Sequence, residues 1–235
     1  MASKIALQLL YHFSTFTFYV YTEYNPIVIP GSNLIYGGRY KYLTVLNIFL
    51  SIFYFGYATL VDLKDLVVNK EKLQRNQKNR SREILDYIFL GVLFPVSLTV
   101  SILFWGIYAI EPDLMLPAFK RKYMHPYGFY NQAIHTGPIV TSLLETLITF
   151  HKPSVSFFKG CIGWVLYAAT YLMWILWVAY RGNFWVYPFL RGMNIVQRVL
   201  FFAGAFLFGS ALHKIAVLLT CWWWKAELKQ TKKIC

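Results

Sequence analysis

Apolar residues in this chain do not alternate with polar ones. They fall into long runs, separated by short stretches that hold most of the charge. A bilayer core needs about 20 mostly apolar residues per spanning helix. Six segments meet or approach that length: 5–24, 42–62, 84–110, 130–150, 158–180 and 198–224. The pattern predicts an all-α fold, a polytopic transmembrane helix bundle that makes one domain over residues 1–235. The fourth run is the weakest, because His135, Pro138 and Glu145 interrupt it. A five-span alternative drops it. The first run does not read as a signal peptide: only Lys4 precedes it, and "YVYTEYNP" offers no small-residue cleavage site.

Composition agrees with a membrane setting. Hydrophobic residues make up 57% of the chain and charged ones 14%, against about 25% charged in soluble domains. The net charge of +13 does not imply a nucleic-acid partner, because the cations sit between the apolar runs, where cytosolic loops carry them. With the N-terminus in the cytosol, 14 of the 23 Lys and Arg residues are cytosolic, eight lie on the other side and Lys214 is within a span. Both termini are therefore expected in the cytosol. The Asn79-Arg80-Ser81 sequon then escapes glycosylation. The last four residues, "KKIC", resemble a dilysine retrieval signal and imply the endoplasmic reticulum membrane. A basic tail touching anionic lipid is the competing explanation. Cys161, Cys221 and Cys235 form no CxxC pair and no disulfide framework. No metal and no cofactor are expected. Oligomeric state is not legible.

Polar side chains are costly in hydrocarbon and tend to face a bundle interior. The second span carries Thr44, Asn47 and Ser51 on one face. The fourth carries Asn131, His135, Ser142 and Glu145 on another. Both spans run inward from the lumenal side, and Thr44 and His135 are each near the start of their own. A hydroxyl and an imidazole at matched depth suit acyl transfer, the imidazole taking the hydroxyl proton. N–H groups in the first turn of a helix lack intrahelical partners and can steady an oxyanion. Asn131, one turn before His135, is placed to orient it. Thr44 at a helix start also reads as a plain cap, and His135 as an interhelical hydrogen-bond residue. The pattern leaves both open. His12 and His213 also fall in spans.

The blocks "YGGRYKYLT" (36–44), "FPV" (94–96), "FWGIY" (104–108), "NQAIHT" (131–136) and "WVYPFL" (185–190) resemble, in order and spacing, one family: that of the androgen-induced gene product and the androgen-dependent TFPI-regulating protein. The resemblance runs from about residue 30 to the tail. It implies a multi-pass membrane hydrolase that cleaves fatty acid esters of hydroxy fatty acids. It places the nucleophile on Thr44 and the histidine on His135, and Asn131 matches as well. Gln132 stands where the family usually has a second histidine, and Leu116-Pro117 where it has Tyr-Pro. The expected partners are the lipid bilayer and a fatty acid ester, whose carboxylate Arg39 or Lys41 would meet. Asn47 is a further supporting candidate. A transporter or channel built on the same polar seams, a haem carrier and a non-catalytic scaffold are the competing functions. No internal repeat favours transport.

Overall fold

The computed structural model describes residues 2–28, 35–68, 80–115, 117–153 and 156–230. The sequon residue Asn79, Leu116 and the KKIC tail lie outside them. No strand occurs among the described residues. Four helices are long and apolar enough to cross a membrane: α2 (Leu43–Val68), α3 (Arg80–Ile110), α6 (Phe157–Gly182) and α7 (Ile195–Trp223). The first predicted span is α1 (Ala2–Tyr24). The fourth is broken into α4 (Phe129–His135) and α5 (Gly137–Ile148). The break follows from Pro138, which lacks an N–H and crowds the carbonyl of Ile134.

Helix α3 is the hub, and most of its apolar window is buried, whereas α7 is largely exposed on its outer side. Its neighbours are α2, α5, α6 and α7. A π-turn over Phe89–Leu93 interrupts it. Pro95 accounts for this: its ring would clash with the carbonyl of Gly91, and one extra residue in the turn relieves the clash. The core gathers Tyr19 of α1, Ile48 and Phe55 of α2, and Phe89 and Phe94 of α3. Gly91 lets α6 approach α3 closely, since a Cβ there would lie 2.8 Å from the carbonyl oxygen of Gly160. Small residues at such crossings are how membrane helices gain contact. Cys161 is free and buried, whereas Cys221 is disulfide-bonded, which the odd, scattered set of cysteines does not predict.

At the end of the bundle where α1 begins, polar residues from α1, α2, α3, α5 and the loop after α5 form one buried network. His12 Nδ1 donates to Asp62 at 2.6 Å and Nε2 to Glu145 at 3.0 Å. His151, in the loop after α5, donates to Asp86 at 3.0 Å and to the other oxygen of Glu145 at 2.9 Å. Tyr54 donates to Glu145 at 2.7 Å. Arg82 holds Asp62 and Asp65. Carboxylates only accept, so each imidazole presents N–H on both nitrogens. The polar faces of α2 and α5 therefore do meet, but this half of them is closed by its own partners. His213 instead bonds the carbonyl of Leu90 at 2.8 Å.

Candidate active site

The opposite end of the bundle is organised by the block that precedes α2. Gly37 and Gly38 have φ of 81° and 50°, a backbone that side chains with a Cβ disfavour. They turn the chain into a short 3-10 helix, Gly38–Lys41. Helix α6 holds this turn: Trp174 Nε1 donates to the carbonyl of Tyr40 at 3.0 Å. Tyr171 of α6 donates to the carbonyl of Lys41 at 3.1 Å and accepts from the N–H of Leu43 at 3.0 Å. Its proton being so placed, Tyr187 donates to it at 2.7 Å. Tyr187 belongs to the block "WVYPFL". Two of the sequence blocks thus fix the start of α2.

Four N–H groups open that helix. Leu43 is capped by the two tyrosine hydroxyls. Val45 and Leu46 both donate to the carbonyl of Tyr42. The N–H of Thr44 has no acceptor among the described residues. The unpaired donor is therefore on the same residue as the candidate nucleophile.

Thr44 Oγ1 lies 3.3 Å from His135 Nε2. His135 Nδ1 lies 3.0 Å from Asn131 Oδ1, and Asn131 Nδ2 donates to the carbonyl of Pro126 at 2.7 Å. The last contact sets the rest. A carbonyl only accepts, so the amide nitrogen of Asn131 must face Pro126 and its oxygen must face His135. That oxygen needs a proton from Nδ1. Nε2 is then left with its lone pair toward Thr44, the tautomer a base requires. The ring is held flat against Phe104, with centroids 3.5 Å apart and planes 8° apart. Asn131 is fully buried, and His135 nearly so. The Thr44–His135 distance is long for a hydrogen bond, as is usual for catalytic pairs without substrate.

Thr44 opens on an apolar cavity of about 100 Å³ between α2, α3, α6 and α7. That volume is well below the roughly 300–1,000 Å³ of pockets that enclose a drug-sized ligand, and it suits one hydrocarbon chain rather than two. The hydroxyls of Thr99 and Tyr167, on residues of its wall, are buried without a partner.

The structure brings Thr44, His135 and Asn131 together. It does not bring Asn47 to them: Asn47 Oδ1 accepts from Ser97 at 3.2 Å, and its Nδ2 is unpartnered. Arg39 is engaged by Glu23. Lys41 is buried and donates to the carbonyl of Gly38. Gln132, at the position of the family's second histidine, accepts from Thr136 at 2.6 Å, and Thr136 in turn accepts from Trp105 at 3.1 Å. Gln132 thus braces the helix break next to His135. Sequence reasoning missed Tyr171, Tyr187 and Lys120. Only the block containing Tyr187 gave a signal, and that signal did not say what the tyrosine does. Among the described residues no group of His, Cys, Asp and Glu is arranged to hold a metal ion.

Comparison with known proteins gives the family. Androgen-induced gene 1 protein of Homo sapiens is 26% identical over 208 residues, covering 87% of this chain and 85% of its own. Androgen-dependent TFPI-regulating protein of Rattus norvegicus is 28% identical over 230 residues, 95% of this chain and 96% of its own. A UPF0641 membrane protein of Schizosaccharomyces pombe is 24% identical over 170 residues, 72% of this chain and 70% of its own. No solved structure matches. The family model described as FAR-17a/AIG1-like protein matches residues 7–220, nearly the whole bundle, and the chain belongs to that family.

Proposed function

We propose that the chain is a membrane-embedded carboxylic ester hydrolase with Thr44 as nucleophile, His135 as base and Asn131 as the group that orients it. The observation that carries this is the line from Thr44 through His135 to Asn131, with its tautomer set by Pro126, at the edge of an apolar cavity. The ester carbonyl enters beside Thr44. His135 Nε2 takes the hydroxyl proton as Oγ1 attacks. The N–H of Thr44 and the N-terminal end of the α2 dipole stabilise the oxyanion. The imidazolium returns its proton to the departing alcohol, leaving an acyl-threonine. Water, activated by the same nitrogen, releases the acid and restores Thr44. The family resemblance supports fatty acid esters of hydroxy fatty acids as substrates, and the apolar cavity suits an acyl chain.

Six spans with both termini cytosolic complete the proposal. Lys4 of α1 lies 3.8 Å from Glu227, after α7, and Trp224 donates to the carbonyl of Thr146 at the end of α5. The start of α1 and the segment after α7 therefore meet at one end of the bundle, which supports an even number of crossings. The KKIC tail favours the endoplasmic reticulum.

The test is labelling of the membrane-embedded protein with a fluorophosphonate probe, with the adduct mapped by mass spectrometry. An adduct on Thr44, absent in Thr44→Ala and slowed in His135→Ala, is expected. An adduct on another residue would refute the assignment of the nucleophile.

A further inference from the structure

Among the described residues, the half-buried arginines near the two ends of the bundle are ion-paired, except Arg198, which donates to the carbonyl of Leu190 and packs on Trp185. Arg39 has Glu23, Arg82 has Asp62 and Asp65, and Arg121 has Asp113. Lys41 and Lys120 are not ion-paired. Their ammonium groups lie 4.8 Å and 5.5 Å from the centroid of one ring, that of Tyr42. Lys120 donates to the Tyr42 hydroxyl at 3.2 Å, and Lys41 to the carbonyl of Gly38. No described carboxylate forms an ion pair with either. Lys41 is 2% exposed. Two like charges beside one ring repel, and a buried cation without an anion is costly. An arrangement that gathers two cations and supplies no counter-ion is suited to receive one.

The position says what the anion is attached to. Tyr42 adjoins Leu43 and Thr44, which line the cavity, and its ring lies 6.3 Å from that of Tyr187, another wall residue. Met115, on the short helix Pro112–Met115, also lines the cavity and leads to the helix Ala118–Arg121 that carries Lys120. The cations therefore sit next to residues that line an apolar cavity of about 100 Å³.

We propose that Lys41 and Lys120 form a clamp for the carboxylate of a single-chain fatty acid or of an ester lipid that bears one, with the hydrocarbon in the cavity beside Thr44. As a statement about substrate the clamp rests on the hydrolase proposal. As a binding site it does not. Lys41 supplies the desolvated charge, Lys120 the more accessible one, and both pack against Tyr42. Arg39, already neutralised by Glu23, has no part in it. The same cations would attract the phosphate of a lipid headgroup, and the size of the cavity favours the single-chain carboxylate.

The experiment uses the full chain as Thr44→Ala, so that no turnover occurs, in nanodiscs of neutral lipid. Binding of dodecanoate, its methyl ester and dodecyl phosphate is measured near pH 7. Dodecanoate is expected to bind at least tenfold tighter than the methyl ester and no weaker than the phosphate. Adding Lys120→Met should erase the preference over the methyl ester, and Lys120→Arg should keep it. Lys120 is half-buried in a short helix, so its replacement leaves the bundle intact even where Lys41→Met does not. Equal binding of acid and methyl ester, or a preference unmoved by Lys120→Met, overturns the proposal. A tenfold preference for the phosphate assigns the clamp to a headgroup and overturns it too. Labelling of Thr44 in the wild type, read separately, shows whether the hydrolase proposal stands when the clamp fails.

Discussion

Asn131 decides which nitrogen of His135 can accept a proton. Without its side-chain oxygen, the neutral ring would distribute its proton between Nδ1 and Nε2 and turn more freely against Phe104. Asn131→Ala should slow fluorophosphonate labelling of Thr44 by about tenfold to a hundredfold, toward the roughly 10²–10⁴-fold that a positioned base contributes. A labelling rate equal to wild type would remove Asn131 from the site. Lys41 is the other residue with a measurable signature. Burial, and then the nearby charge of Lys120, push its pKa from the ordinary lysine value down to about 8. A depressed ammonium keeps its proton below that pH and loses it above. Preference for dodecanoate over its methyl ester should therefore weaken as pH rises through about 8, and Lys41→Arg should move that loss to much higher pH. The meeting of Thr44, His135 and Asn131 was legible because helical spacing puts Asn131 one turn from His135 and because charge placement gave Thr44 and His135 the same depth, whereas the roles proposed for them came from the family resemblance. Lys120 was not, because its partner is far along the chain and only the packed tyrosine between them reveals the pair.

Helices bring these residues together through features that hydropathy does not report. Runs of apolar residues mark where lipid is, not where a helix ends. Thus α2 extends to Val68 through Lys64 and Asp65, and α3 begins at Arg80, each beyond its predicted span. The π-turn in α3 was invisible in the pattern, although Pro95 supplies its cause. It also sets Phe89 against His151, with centroids 4.3 Å apart. Glu145 read as a lone acid in a weak span, and its three partners, His12, Tyr54 and His151, come from segments that no sequence spacing relates. Removing one member of such a network strands the others in a low-dielectric interior. Glu145→Leu should cost about 3–5 kcal/mol of stability, whereas Tyr54→Phe should cost about 1 kcal/mol; thermal and denaturant unfolding in detergent would check both. Burial alone would lower the pKa of His151, but its hydrogen bonds with Asp86 and Glu145 outweigh burial and raise it. The stabilisation it brings is complete below the unfolded value of about 6.5 and is lost as pH rises through the folded one. Unfolding midpoints should fall with alkalinity in the wild type and less so in His151→Phe.

At the scale of the whole molecule the chain is a bundle with two unlike ends: one holds Thr44, His135 and the cations over Tyr42, the other a closed set of ion pairs. With six spans, reporters fused at either end of the chain should both read as cytosolic, and Asn79 should carry no glycan. Replacing Lys232 and Lys233 by alanine should release the protein from the endoplasmic reticulum toward the cell surface, as seen by microscopy. The ion-paired end also constrains how the protein is made. His12 leaves the ribosome first, and Asp62 follows with the next helix. Glu145 comes much later, on α5, the second half of a fourth span that is broken beside Pro138. A broken span with a buried acid inserts poorly by itself, and partners already in place would help to draw it in. The earliest helices, in turn, must tolerate an incomplete set of charges until synthesis has passed the midpoint of the chain. Nascent chains halted before α5 should therefore be recognised as unfinished and degraded, while those halted just after His151 should begin to persist.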